Sequence, residues 1–114
     1  MEKEYIIKSN QEIEELIKKK QSVVSKYFII YYQSNETNHL RLCVSVSKKN
    51  GNAVERNHQK RRIKEVLRSY KDTLPLDVLL IAKKNSMEID FNELKKQIDY
   101  VISKLNKEKK CVDI

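Results

Sequence analysis

Apolar residues recur along the chain with two different periods, and the period in each segment predicts an element. Ile13, Leu16 and Ile17 stand at helical spacing behind Ser9-Asn10-Gln11-Glu12, a capping-box pattern in which Ser9 caps and Glu12 reaches back; together they predict a helix over about 9–20. Its closing run, Lys18-Lys19-Lys20, suits the negative end of a helix dipole and needs no ligand to explain it. Val23 to Tyr32 (VVSKYFIIYY) is dense in β-branched and aromatic residues and reads as a strand covered on both faces for most of its length. The polar run QSNETNH then gives a turn. From Leu40 to Ser47 the alternation is clean, with Leu40, Leu42, Val44 and Val46 on a core face and Arg41, Cys43, Ser45 and Ser47 on the other.

Beyond the Gly51 turn, Asn52 with Glu55 three residues later forms a second capping box, and a helix is expected to run to about Tyr70. Thr73-Leu74-Pro75 breaks it. Leu76 to Ala82 (LDVLLIA) is the short, nearly all-apolar run of a strand inside a sheet. Asp90 and Glu93 open a last helix whose Phe91, Leu94, Ile98, Val101, Ile102 and Leu105 make an apolar stripe, and 107–114 reads as a frayed tail. The order α-β-β-(β)-α-β-α predicts an α/β (α+β) sandwich, a mainly antiparallel sheet with helices packed on it. At 114 residues it is expected to be one domain.

Charge changes the picture from a fold to a partner. The formal net charge is +8, and the segment from Arg41 to Arg68 holds nine basic residues against Glu55 and Glu65, so nearly all the excess is regional. A polyanion is the partner this implies. Cys43 and Cys111 are far apart and in no metal-ligand spacing, which predicts two reduced thiols. The opening residues lack the apolar core of a signal peptide and no run is long enough to span a bilayer, so a cytoplasmic location with no membrane partner is expected.

On a helix turning about 100° per residue, Ile63, Val66, Leu67 and Tyr70 form the buried stripe, while Asn57, Lys60, Arg61, Lys64 and Arg68 share the adjoining face. A merely solvated face mixes signs at i,i+4 spacing. Here Lys60 and Lys64, and Lys64 and Arg68, are like-charged pairs that each cost roughly 0.2–0.5 kcal/mol. A bound polyanion would offset that cost. The free amides after Gly51, beside Lys48 and Lys49, add an expected phosphate site.

The segment SVSKKNGNAVERNHQKRRIKE, Ser45 to Glu65, closely resembles the signature of the protein subunit of bacterial ribonuclease P. The likeness extends over nearly the whole chain, through Arg41, the strand KYFIIYY and the later strand DVLLIAK. It implies that Lys48, Lys49, Asn52, Arg56, Asn57, His58, Lys60, Arg61, Lys64 and Arg68 dock on the catalytic ribonuclease P RNA. It also implies a cleft between the first helix and the sheet that takes the single-stranded 5′ leader of precursor tRNA, lined by Ile13, Ile17, Tyr27, Ile29, Tyr31, Arg41 and Ser45. Aromatic stacking beside cations is the general way to hold such a strand without reading its sequence. A left-handed crossover between parallel strands, against the usual right-handed rule, comes with the resemblance alone.

The chain departs from the family at several of these positions. His58 stands where the family carries Arg, so a phosphate contact there is weaker than the family's permanent guanidinium charge would give. Ile13 and Ile17 replace aromatics, Cys43 replaces a glycine of the strand, and Lys20 replaces a glycine after the first helix. The implied function is the protein component of ribonuclease P, a monomeric subunit of an endonuclease whose hydrolysis is carried by RNA-bound Mg²⁺. The alternative is a ribosomal or other structural RNA-binding protein with no part in cleavage. A self-contained nuclease is not expected, because His39 and His58 are the only histidines and no metal-ligand spacing or paired acids accompany them.

Overall fold

The structure, a computed structural model, describes residues 5–113 apart from Lys8, Lys20, Glu36, Asn38 and Thr73, with side chains only as far as Leu105. Lys20 of the lysine run, two residues of the polar turn, Thr73 of the helix break, the Cys111 side chain and Ile114 therefore lie outside the described residues. Three helices and four strands follow one another as α1 (Asn10–Lys18), β1 (Ser22–Val24), β2 (Phe28–Ser34), β3 (Arg41–Val46), α2 (Ala53–Leu67), β4 (Leu76–Ala82) and α3 (Phe91–Asp113). The sheet order is β1-β2-β4-β3, antiparallel except for β3 against β4. Those two parallel neighbours are joined through α2, the unit to which the resemblance attaches its left-handed crossover. The backbone of α3 continues helically through the segment expected as a tail.

The apolar run from Val23 to Tyr32 is two strands instead of one. Its polar pair Ser25-Lys26 is a turn: Ser25 Oγ accepts from the Phe28 amide at 3.1 Å, and the Ser25 amide donates to the Phe28 carbonyl at 2.8 Å. Nor is β2 covered on both faces, since Phe28 and Ile30 are buried while Ile29 and Tyr31 stay half-buried. The alternation of β3 holds, with Leu42, Val44 and Val46 buried. Central β4 is buried throughout except at Ile81.

Two apolar clusters hold these layers together. The larger lies between one sheet face and the pair α2 and α3, where Phe28, Ile30, Leu42, Val78 and Leu80 meet Ile63, Leu67, Leu94, Ile98 and Ile102. Each such side chain removed from water contributes about 1.5–3 kcal/mol before the entropy of ordering is counted. Phe91, expected in the stripe of α3, is 43% exposed because it sits on the first residue of the helix, ahead of the packed turns. The smaller cluster lies on the opposite sheet face, where Ile7, Leu16 and Leu79 are buried with Ile13, Tyr31, Cys43 and Ile81 packed around them. One sheet face is thus fully roofed and the other only crossed by α1.

Gly51 is needed where α2 begins. Its φ of 144° is a conformation that side chains strain to adopt, and a Cβ there would stand 3.1 Å from Glu55 Oε1. Gly51→Ala is expected to cost about 1–3 kcal/mol, read as a lower denaturation midpoint at unchanged slope.

Candidate nucleic-acid interface

The second helix starts on a complete capping box: Asn52 Oδ1 accepts from the Glu55 amide at 2.9 Å, and Glu55 Oε1 accepts from the Asn52 amide at 3.1 Å. The Glu55 carboxylate therefore occupies the helix end that was expected to receive a phosphate. Asn52 is engaged as a cap. Lys48 and Lys49 remain exposed in a short 3₁₀ turn just before it.

Burial of Gln59, Ile63, Val66 and Leu67 fixes which way α2 faces. Asn57, His58, Arg61 and Arg68 are exposed, and Lys60, Lys64 and Arg56 are half-buried along the flank. Val54, Asn57, His58 and Arg61 line a shallow groove, and Arg61 leads on into a second one with Lys64, Glu65 and Arg68. The expected basic residues of the helix thus form one surface. Among the described residues none of Lys60, Arg61, Lys64 and Arg68 forms an ion pair, since both ion pairs in the structure belong to Arg41. The Arg56 Nε is enclosed without a hydrogen-bond partner among the described residues. Arg62 does something different, donating to Gln59 Oε1 at 3.1 Å and to the Ile89 carbonyl at 2.6 Å. Its charge locks α2 to the turn before α3.

The edge strand β3, which α2 packs against on one side, carries part of the half-open sheet face on its other side. Strand registers set its side chains in three rows across β2, β4 and β3: Gln33–Asp77–Arg41, Tyr31–Leu79–Cys43 and Ile29–Ile81–Ser45. The helix α1 covers the middle row through Leu16, and Ser45 and the outer side of Ile17 stay exposed. Val24, paired with Ile29 and 60% exposed, extends the third row onto β1. Burial pushes the Cys43 thiol up, and the charges of Lys64 and Lys60 pull it partly back.

Of two further expected cleft residues, one lies elsewhere and the other is on the expected face but already engaged. Tyr27 precedes β2 in the hairpin turn, where alternation stops, and packs against the larger core with Lys26 Nζ 5.4 Å from its ring, so it does not join Tyr31. Arg41 is on the right face but engaged: Nη2 donates to Glu12 Oε2 at 2.9 Å and Nη1 to Asp77 Oδ2 at 3.4 Å. Glu12, expected to reach back to its own helix start, meets Arg41. Ile81 and Val24 line the cleft without having been singled out in the sequence, although alternation from Asp77 through Leu79 marks Ile81.

Among the described residues no three His, Cys, Asp or Glu side chains gather as metal ligands, and no helix is long and apolar enough to cross a membrane. The family model for ribonuclease P matches residues 1–106. The ribonuclease P protein component of Macrococcus caseolyticus is 44% identical over 104 residues, covering 90% of each chain. That of Mycoplasmopsis pulmonis is 39% identical over 112 residues, covering 96% of this chain and 99% of its own. Among solved structures, a Staphylococcus aureus RNase P protein mutant with defective mRNA degradation activity superposes with a TM-score of 0.84 at 35% identity, over 93% of this chain and 92% of that one. A match spanning both the cationic helix and the half-open sheet face leaves one assignment: the chain belongs to the ribonuclease P protein family.

Proposed function

We propose that this chain docks on the ribonuclease P RNA through the outer face of α2 and holds the 5′ leader of precursor tRNA in the cleft between α1 and the sheet. Protein components of this family serve the ribonucleoprotein endonuclease that frees the 5′ end of tRNA. The observation that carries the reading is adjacency. A helix whose cationic face forms no ion pair among the described residues packs against edge strand β3, whose other side belongs to the open sheet face that holds the half-buried Tyr31.

The RNA supplies the hydrolysis of the phosphodiester on the 5′ side of the mature tRNA, with Mg²⁺ held there. The protein's own part is electrostatic and positional, and no step runs through a protein-bound metal. Its cations neutralise phosphates, which lets substrate bind at lower salt and lower Mg²⁺ than the RNA alone requires. It acts as a single folded domain and a single copy, in the cytoplasm.

The direct test is leader release from a precursor tRNA by bacterial ribonuclease P RNA at low, near-physiological Mg²⁺. Cleavage that needs both the RNA and this chain is the expected outcome; tight RNA binding without stimulation would instead favour a purely structural RNA-binding protein. Within the cleft, Tyr31→Ala is expected to weaken precursor-tRNA binding by about tenfold, a single lost stacking platform. Mature tRNA binding should not move, and an equal loss for both would remove Tyr31 from the leader site.

A further inference from the structure

The helix α1 forms one wall of the leader cleft, yet it has little to hold it in place. It is nine residues long, and only Leu16 is fully buried. A helix of that length is marginal by itself. Its first turn, however, is tied to the sheet by a continuous polar chain. Asp77, 5% exposed on central β4, has Oδ1 on Asn35 Nδ2 at 2.9 Å and Oδ2 on Gln33 Nε2 at 3.3 Å. Arg41 then bridges this fixed carboxylate to Glu12 of α1.

We infer that Arg41 is a positioning residue, a brace that sets α1 over the sheet and thereby the width of the leader cleft, and does not itself contact the leader. This rests on the cleft reading above. Its guanidinium already faces two carboxylates, and its side chain is 23% exposed against 41% for Glu12. A partly exposed pair of this kind adds little to global stability. Its effect is geometric: with the brace gone, α1 can shift on its small apolar contact and carry Ile13 and Ile17 away from Tyr31 and Ile29.

The two possible roles of Arg41 predict opposite signs for Glu12. A phosphate-binding Arg41 would be freed by removing the competing carboxylate, so Glu12→Gln would tighten leader binding. A bracing Arg41 loses its link to α1, so Glu12→Gln loosens it. The experiment measures affinity of the assembled ribonucleoprotein for precursor and mature tRNA over a salt series, for the unmodified chain, Glu12→Gln, Arg41→Gln and both together.

Each single change should weaken precursor binding about threefold to tenfold. The double variant should be no worse than either single, mature tRNA binding should be constant, and the salt slope should not change. Tighter binding in Glu12→Gln, or a slope flattened by about 0.7 in Arg41→Gln, would make Arg41 a phosphate contact and overturn the brace. Silence in all three variants would overturn it too. If the unmodified chain itself shows no preference for precursor over mature tRNA, the cleft reading fails instead. Glu12 carries the test because its exposed carboxylate can be neutralised without unfolding the chain.

Discussion

Replacing Lys60, Arg61 and Lys64 together with alanine is expected to weaken binding of ribonuclease P RNA by on the order of a hundredfold and to flatten its salt dependence by about two to three units. Each cation that neutralises a phosphate releases a condensed counterion, so the slope of affinity against salt counts contacts. About 1 kcal/mol of net contact per side chain compounds to the hundredfold loss. Stability is expected to stay level. The three side chains lie off the buried stripe of Gln59, Ile63, Val66 and Leu67, and among the described residues none holds an ion pair. Alanine is the best helix former, and the change also removes the like-charged pairing of Lys60 with Lys64. Filter binding from low to moderate salt, beside a denaturation curve, separates the two effects. An unchanged slope would place the docking face elsewhere on the molecule.

Elements set by local chemistry are legible in the sequence, and features made by distant partners are not. The capping box of Asn52 and Glu55, the alternation of β3 and the apolar run of β4 each depend on residues within one element, and the structure has them where the pattern puts them. The hairpin at Ser25-Lys26 escapes because eight apolar or aromatic residues around two polar ones look like a single strand. Arg41 looks like a free cation until Glu12, 29 residues before it, and Asp77, 36 residues after it, meet it in space. The same capping box that announces α2 also brings the Glu55 carboxylate to the expected phosphate site, a consequence already implicit in the Asn52 to Glu55 spacing. Gln59 did leave a signal: at 100° per residue it falls inside the apolar stripe between Val66 and Ile63, which makes a buried polar side chain there conspicuous.

Arg61 and Arg62 are neighbours of equal charge, and their alanine variants are expected to fail in opposite ways. Arg61 is exposed and lines both grooves of the outer face. Its loss should remove about 0.9 from the salt slope of RNA binding, one phosphate contact, and leave the unfolding midpoint unchanged. Arg62 points the other way and completes a buried network. Gln59, 1% exposed, gives Nε2 to the Ser86 carbonyl at 2.9 Å and to Ser86 Oγ at 3.2 Å, while its Oε1 accepts from Arg62. Ser86 Oγ in turn donates to the Lys83 carbonyl at 2.7 Å. Arg62→Ala removes two charge-assisted hydrogen bonds and leaves Gln59 Oε1 without that donor, a loss of about 2–3 kcal/mol in stability. Because that network joins α2 to the turn before α3, RNA affinity should fall only as the folded fraction falls, and the salt slope should hold. A salt slope reduced in Arg62→Ala as much as in Arg61→Ala would mean that Arg62 leaves its network to meet the RNA. Under that result the docking face would extend round the helix to include it.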